Sequence, residues 1–422
     1  MPVVCAVFAA SMLCLSSFAT DGISRQEYQF RRETLKKSLA DGITILFGRT
    51  AADDVDSRCG FLQEPNFYYL TGWREPGAIL LLNPHKQDIL FLPHHDVNSE
   101  RYIGRRPAPE DANIQAVTGF NNIQPVERFK GELAQSLEHI KKIYTLDSSP
   151  RAASLRTMFP LGEFGDATKA IGILRLKKSP AEINLIRHSL KITIQAHRAA
   201  WKCLRPGLYE YQLAARLVGS YLEAGCERSA YTPIVGSGIN ATVLHYSANS
   251  RRMQSGDLVL IDAGAECSSY AADITRTIPV DGRFTLRQRE LYQAVLGAQK
   301  AVIAAVKPGM TFERGSAQGL TEIAVKYLDS HGTDNHGNPL GRYLTHKVGH
   351  HVGLEVHDAG AMLTYGPLEA GMVITIEPGV YIPQERIGIR IEDMLLVTNN
   401  GAEVLSSVLP SDPGEIERAM AR

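Results

Sequence analysis

Four acidic residues lie on or at the ends of apolar, strand-like runs in the second half of this 422-residue chain. They are Asp262 at the end of 258–262, Asp273 within 270–278, Glu377 at the end of 372–377 and Glu392 within 388–397. Carboxylates are rarely buried unless they are paired or bind a metal. Any one of these acids could simply end its strand in solvent or pair with an arginine. The same explanation for all four acids at once is a poor one. The pattern therefore predicts a metal site.

Histidines supply a second type of metal ligand or proton carrier. They are His245 in the sequence VLHY, and His346, His350, His351 and His357 in the stretch 345–358. Their spacing alone is weak evidence, because a single histidine is more often a hydrogen-bonded polar residue. Lys347 also stands where a zinc-protease helix would carry glutamate. The sequence contains no nucleophilic-serine elbow, phosphate-binding loop or dinucleotide-binding glycine motif as a rival centre.

Length and composition indicate two folded domains rather than a disordered or fibrous chain. Hydrophobic residues make up 44% of the sequence, enough for two buried cores in 422 residues. Lys plus Arg and Asp plus Glu both total 45, so no net charge draws the protein to nucleic acid or to an anionic membrane. A peptide or small-molecule substrate is the better hypothesis.

The elements that must position these residues follow an α/β pattern in two parts. Ser24, with Glu27 three residues later, predicts a capping box that opens a helix, and Gly42 is the candidate for its C-cap. Predicted strands follow at 43–47, 78–82 and 89–92. The segment Leu161–Gly165 is a candidate linker, so we predict an N-terminal domain at 21–165 and a second domain at 166–422.

The second domain should open on a long helix, because Ser179, Pro180 and Glu182 combine an N-cap, an N1 proline and an N3 glutamate. Predicted helices lie at about 182–204, 209–225, 286–306 and 312–330. Predicted strands lie at 257–262, 270–278, 372–377 and 388–397, the runs that carry the acids.

The N-terminus predicts a secretory leader at residues 1–20, because apolar and small residues fill the stretch 3–19. The leader lacks the usual Lys or Arg, which leaves a mis-assigned start codon or a short membrane anchor as alternatives. Export to the periplasm or the medium is expected if the leader is used, and a cytoplasmic location otherwise. Cys59, Cys203, Cys226 and Cys267 have no zinc-type spacing, and the sequence does not say which pair would oxidise after export.

Five ordered motifs resemble those of the pita-bread metallopeptidases, and most closely those of the Xaa-Pro aminopeptidases (aminopeptidase P). They are LVLIDAG at 258–264, YAADITRT at 270–277, HHVGLEVHD at 350–358, IEPGVY at 376–381 and GIRIED at 388–393. The segments ISRQE at 23–27 and NFYYLTG at 66–72 resemble the N-terminal domain of the same enzymes. The resemblance covers roughly residues 23–418. It implies an α/β (α+β) fold with a creatinase-like N-terminal domain followed by a pita-bread catalytic domain.

The resemblance also implies a dinuclear metal site. The implied ligands are Asp262 for the first ion, Asp273 and Glu392 for both ions, and His350 and Glu377 for the second. Four carboxylates and one imidazole favour Mn²⁺, with Co²⁺, Zn²⁺ and Fe²⁺ as alternatives. Glu377 would also move a proton from the attacking hydroxide towards the leaving proline nitrogen. His245 and His357 would steady the carbonyl oxygen, and His346 and Arg390 would lie near the proline side.

The implied activity is hydrolysis of the bond between an N-terminal residue and a following proline. Peptides with proline in the second position are the expected partners, with no nucleic acid and no stable membrane association after leader removal. A homodimer or homotetramer is expected, and Tyr102 would reach a neighbouring subunit's site if it is not an ordinary surface residue.

Four rival functions share parts of this pattern. A prolidase, which cleaves only dipeptides, shares the metal set and the domain plan and is the main alternative. Methionine aminopeptidase lacks such an N-terminal domain, and creatinase lacks the full metal set. A non-catalytic pita-bread module that binds peptides would show gaps among the five ligands, and none is missing.

Overall fold

The computed structural model of the protein describes residues 22–53, 60–359 and 366–421. The leader predicted at 1–20 and Cys59 lie outside these described residues. Within the same ranges, no helix combines the length and the apolar character needed to cross a membrane.

Helices occur in both halves of the described chain. They are α1 Arg25–Ser38, α2 Pro65–Thr71, α3 Val97–Ile103, α4 Ile114–Thr118, α5 Phe129–Ser136, α6 Pro150–Met158, α7 Thr168–Leu176, α8 Pro180–Cys203, α9 Glu210–Glu223, α10 Leu286–Ala305, α11 Leu320–His331 and α12 Pro413–Met420.

Strands in the first half are β1 Ile43–Phe47, β2 Ile79–Leu82, β3 Ile89–Leu92, β4 Asn122–Pro125, β5 Lys142–Thr145 and β6 Glu163–Asp166. Strands in the second half are β7 Arg228–Ser229, β8 Ile234–Ser237, β9 Leu258–Asp262, β10 Ala265–Cys267, β11 Tyr270–Ala271, β12 Thr275–Pro279, β13 Val373–Ile376, β14 Gly379–Ile382, β15 Ile387–Arg390, β16 Asp393–Val397 and β17 Ala402–Val404.

The first six strands form one mixed sheet in the order β4-β3-β2-β1-β5-β6. All residues of β1, β2 and β3 are buried, because helices cover both faces of the sheet. Ile45 packs with Phe129 of α5 on one face, and Leu46 belongs to the core that contains Leu35 of α1 on the other. Burial on both faces explains why these strands read as continuous apolar runs rather than alternating ones.

Three predictions for this part of the chain were wrong in detail. The candidate linker Leu161–Gly165 overlaps β6, which pairs in parallel with β5 at the edge of the sheet. Helix α1 ends at Ser38, so Gly42 is not its C-cap. Ser24 accepts a hydrogen bond from the backbone N–H of Glu27 as expected, but the Glu27 side chain binds Arg31 instead of closing the capping box.

The second half packs long helices against small antiparallel sheets. The capping box of Ser179 and Glu182 is present at the start of α8. The small sheets have the orders β11-β10-β7, β12-β9-β8, β13-β16-β17 and β14-β15. The predicted helix at 312–330 starts only at Leu320, because Thr311 exchanges backbone hydrogen bonds with Gln318 and Leu320 and closes the intervening residues into a loop.

The two predicted strands that carry Asp273 and Glu392 are each interrupted near the acid. The run 270–278 divides into β11 and β12, and the run 388–397 divides into β15 and β16. Both breaks occur where the chain moves from one small sheet to another. Arg390 and Glu392 therefore do not lie on one continuous strand, although a single strand was predicted at 388–397.

A disulfide joins Cys226, just after α9, to Cys267 at the end of β10. Cys203 is a free, half-buried thiol. The structure thus identifies the oxidised pair that the sequence left open.

A buried ion cluster links the N-terminal sheet to the second half. Arg175 of α7 donates to Asn66 of α2 at 2.8 Å and to Asp358 at 2.5 Å, and Lys178 donates to Asp358 at 2.9 Å. Arg175 is 3% exposed and Asp358 2%. Burial alone would raise the pKa of Asp358, but the charges of Arg175 and Lys178 outweigh it and hold that pKa well below its usual range.

Replacing Asp358 with alanine should strongly destabilise the fold, because it leaves two buried cations without their shared partner. We expect a loss of about 3–5 kcal/mol in the free energy of unfolding, measured by urea denaturation. Glu355→Ala is the matched control, since Glu355 also pairs with Arg175 but its side chain is 46% exposed. That change should cost less than about 1 kcal/mol. Equal losses in the two variants would contradict the prediction.

Candidate metal centre

The four acids lie at the ends of two antiparallel strand pairs, β9 with β12 and β13 with β16, where the backbone pairing stops. The last pair of β9 and β12 is Asp262 opposite Thr275, and Asp273 comes two residues before it. The last pair of β13 and β16 is Ile376 opposite Asp393. Glu377 directly follows one member of this pair and Glu392 directly precedes the other. The two open ends meet, since Glu392 donates its backbone N–H to Thr275 at 3.0 Å.

His350 is brought to the acids by a segment that adds to the edge of β13. Backbone hydrogen bonds run from Thr375 to His350 and from Glu377 to Val348. The approach is very close at Gly349, where a Cβ atom would lie 2.0 Å from the Thr375 carbonyl oxygen. Glycine is required there because any side chain would push the histidine away from the strand.

One carboxylate oxygen each from Asp273 and Glu392 and one ring nitrogen of His350 lie within 4.8 Å of one another. His350 Nε2 is 3.4 Å from Asp273 and 3.7 Å from Glu377. His350 Nδ1 is 3.2 Å from the His351 carbonyl oxygen, to which it can donate. That bond fixes the tautomer and leaves Nε2 free to bind a cation.

Asp262 joins this group through Tyr231, which was not predicted from the sequence, and through Arg390, which was. The hydroxyl of Tyr231 donates to Asp262 at 2.5 Å and also contacts Asp273. Arg390 donates to the second oxygen of Asp262 at 2.5 Å. The hydroxyl of Thr275 donates to Glu392 at 2.8 Å. These contacts hold the carboxylates in fixed orientations.

The electrostatics of the site fit a bound cation. Burial, and then the charge of a neighbouring acid, raises the pKa of both Asp273 and Glu392 well above their usual range. The same two causes raise the pKa of Glu377 to about 8, with Glu392 as the neighbour. A divalent cation would remove this repulsion and keep the carboxylates ionised. Oxygen-rich donors with one imidazole suit such an ion.

A hydrogen-bonded chain lies beside the acids. His346 Nδ1 is 2.7 Å from the Lys347 carbonyl oxygen, so it carries the proton. Nε2 therefore accepts from the Tyr381 hydroxyl at 2.9 Å, and the Tyr381 oxygen accepts from Arg390 at 2.9 Å. Burial, and then Arg390, lowers the pKa of His346 to about 4, so its ring is neutral at pH 7.

His357 and His245 lie near His350. The rings of His357 and His350 meet edge to face with centroids 4.3 Å apart. Burial, followed by the charges of His350 and His245, lowers the pKa of His357 to about 4. His245 also depresses the pKa of His346. His245, which is exposed, therefore lies near both of these histidines.

The structure thus assembles all five predicted ligands and places His245, His346, His357 and Arg390 around them. Tyr231, Thr275 and Tyr381 also belong to the site and were not predicted from the sequence. Tyr381 could have been predicted, because it ends the motif IEPGVY. No local sequence pattern marks Tyr231 as a site residue. Tyr102 of α3 is 89% exposed, and its contact with another subunit stays a prediction.

The comparisons with known proteins agree with this geometry. Residues 184–399 match the model of metallopeptidase family M24, and residues 28–144 match the aminopeptidase P N-terminal domain. The chain is 34% identical to the Xaa-Pro aminopeptidase of Escherichia coli (strain K12), over 94% of this chain and 98% of the relative. It is also 34% identical to Xaa-Pro aminopeptidase 3 of Homo sapiens, over 94% and 86% of the two chains.

Solved structures give the same result. Aminopeptidase P from Escherichia coli with the inhibitor Pro-Leu superposes with a TM-score of 0.84 at 32% identity, over 94% of this chain and 98% of that one. Proline aminopeptidase P II from Yersinia pestis gives 0.83 at 32% identity, over 94% and 99%. The chain belongs to metallopeptidase family M24. Within that family it combines the M24 domain with the N-terminal domain of aminopeptidase P, which confirms the predicted fold class.

Metal binding should stabilise the protein more as pH rises. In the metal-free protein the pKa of Glu377 is raised from 4.5 to about 8, so the fold favours its protonated form. This contribution to stability is fully present below pH 4.5 and is lost as pH rises towards 8. A bound cation instead requires the ionised form. We therefore expect the Tm difference between Mn²⁺-loaded and chelator-treated protein to widen from pH 6 to pH 8.

Glu377→Gln tests the assignment to this residue, because it removes the titrating group at nearly constant volume. The widening should be smaller in this variant than in the wild type. A Tm difference that stays constant or shrinks as pH rises in the wild type would contradict the expectation.

Proposed function

We propose that this protein is a metal-dependent exopeptidase that hydrolyses the bond between an N-terminal residue and a following proline. The observation that carries the proposal is the convergence of Asp262, Asp273, His350, Glu377 and Glu392 at the open ends of two strand pairs. Relatives of similar length named Xaa-Pro aminopeptidase support it. A structural neighbour was solved with the inhibitor Pro-Leu, and another is described in complex with product.

The proposal includes two divalent ions per chain. Asp262 would hold the first, Asp273 and Glu392 would contact both, and His350 and Glu377 would complete the second. Manganese is favoured over cobalt, zinc or iron because oxygen donors dominate the set. Such ions, when bound, polarise a carbonyl group and promote the ionisation of water at neutral pH.

Protein groups would then carry out the proton transfers. The leaving nitrogen of an Xaa-Pro bond has no hydrogen and must receive a proton. Glu377 is suited to deliver it, because its carboxylate lies between a predicted metal ligand and the predicted proline side. One oxygen is 3.7 Å from His350 Nε2, and the other is 3.9 Å from His346 Nδ1. It can take a proton from water and pass it to that nitrogen.

Two histidines would bind the acyl side of the reaction. A neutral imidazole can donate one N–H to an oxygen that gains negative charge. His357 and His245 have this role in the proposal. His346, held by Tyr381 and Arg390, would lie against the proline ring.

Hydrolysis of matched peptides tests the function and separates it from the alternatives. With Mn²⁺ present, Xaa-Pro-Xaa peptides should be cleaved with a kcat/KM at least comparable to that of the Xaa-Pro dipeptide, and a Met-Ala peptide should be cleaved poorly. Chelation should abolish activity, and metal analysis should find close to two ions per chain. Cleavage of dipeptides alone would favour a prolidase. No cleavage at all would favour a peptide-binding module.

A homodimer or homotetramer belongs to the same proposal. It is supported by the exposed apolar residues Val97, Tyr102 and Ile103 of α3, which are 63%, 89% and 54% exposed. Light scattering of the purified protein measures the number of chains.

We also propose that the protein is exported and that the mature chain begins near Thr20. The disulfide between Cys226 and Cys267 supports this, because disulfides persist mainly in oxidising compartments. N-terminal sequencing of protein from its native host should return a residue close to Thr20. Recovery of Met1 or Pro2 would rule out cleavage of the leader.

A further inference from the structure

Glu210, the first residue of α9, is fully buried and accepts an unusual number of hydrogen bonds. Its carboxylate receives the backbone N–H and the hydroxyl of Ser237, both at 2.7 Å. It also receives the Tyr246 hydroxyl at 2.8 Å, the Arg251 backbone N–H at 2.9 Å and the Asn240 amide at 3.2 Å. The donors come from different points of one segment, which converges on this carboxylate.

That segment, 237–251, leaves β8 and carries His245. Glu210 contacts it at its start through Ser237 and at its end through Arg251, so both ends are tied to one point. Arg251 also donates to the Ser237 hydroxyl at 2.8 Å, so the two ends of the segment are bonded to each other as well.

Glu210 also holds the segment near its middle, at the residue that follows His245. Tyr246 follows His245 in the chain and bonds to Glu210, and its hydroxyl also accepts the Ser250 N–H at 3.2 Å. The ring of His245 is exposed. Its position therefore depends on its two chain neighbours: Leu244 packs against a small apolar cluster, and Tyr246 packs there and also bonds to Glu210.

The chemistry of the partners requires a carboxylate. The groups that point at Glu210 are N–H and O–H donors, and an ionised carboxylate offers only acceptor sites. A glutamine of the same shape would aim its own N–H₂ group at some of these donors. It would leave at least one of them unpaired in the interior.

We propose that Glu210 is a positioning residue that, through Tyr246, holds His245 towards the metal centre. The inference rests on the proposed peptidase function, in which His245 contacts the substrate carbonyl. Glu210 itself does not touch the substrate. It fixes a segment whose displacement by even about 1 Å would weaken a contact needed in the transition state.

Tyr246→Phe is the most selective test, because it removes the hydroxyl beside His245 and leaves the other bonds of Glu210 in place. We expect kcat to fall about 10- to 100-fold on an Xaa-Pro-Xaa peptide with little change in KM. Glu210→Gln should show at least the same loss of kcat. Metal content should stay at the wild-type level in both variants. Glu223→Gln is the matched control, since Glu223 is an exposed glutamate at the end of the same helix.

A double-variant comparison separates positioning from a general loss of stability. If Tyr246 acts through His245, then His245→Ala with Tyr246→Phe should be no slower than His245→Ala alone. Multiplied losses in the double variant would overturn the proposal. So would wild-type kcat in Tyr246→Phe.

Hydrogen exchange of residues 237–251 gives a result that does not depend on turnover. Exchange should be faster in Glu210→Gln than in the wild type and unchanged in Glu223→Gln. If the wild type hydrolyses no Xaa-Pro peptide, the proposed function fails, while exchange still decides whether Glu210 holds the segment. Unchanged exchange in Glu210→Gln would overturn the proposal even in an active enzyme.

Discussion

Mutual repulsion of buried carboxylates is the constraint on which the rest of the catalytic half depends. Asp273 and Glu392 lie close together with Glu377 at their side, and their raised pKa values express the cost of ionising them without a cation. Two paired strand ends hold the acids, so the repulsion cannot be relieved by moving them apart. A divalent cation would relieve it, and the fixed positions of the acids suit them to hold one.

The backbone segments that carry His350, His357 and His245 are held by contacts that lie away from the rings. His350 is placed by backbone pairing with β13, which Gly349 permits. His357 precedes Asp358, which is fixed between two buried cations. His245 lies in the segment that Glu210 closes. Such support leaves the Nε2 atom of His350 available to a metal, and it orders the site before a substrate arrives.

The N-terminal sheet takes part in this support. Arg175 bonds both to Asn66 beside that sheet and to Asp358 beside His357. Arg31 of α1 pairs with Glu182 of α8 at 3.1 Å, and Glu182 accepts the hydroxyl of Tyr270, three residues before Asp273. Both contacts lead from the N-terminal part to residues close to the metal centre. The N-terminal part therefore contributes to the geometry of the site as well as to the shape of the molecule.

The sequence by itself predicted the cluster of four acids, the strands β1 and β3 and the start of α8, because each depends on local patterns: acids on apolar strand-like runs, continuous apolar runs and a capping box. His350 entered the predicted ligand set only through the motif resemblance. Motif resemblance supplied the roles of His245, His346 and Arg390. Only the tertiary structure decided which cysteines pair, that β6 replaces the expected linker, and that Tyr231 and Glu210 serve the site. Tyr231 meets Asp262 from 31 residues away and Glu210 meets Arg251 from 41. Contacts of that separation depend on how the chain packs, and no local pattern encodes them.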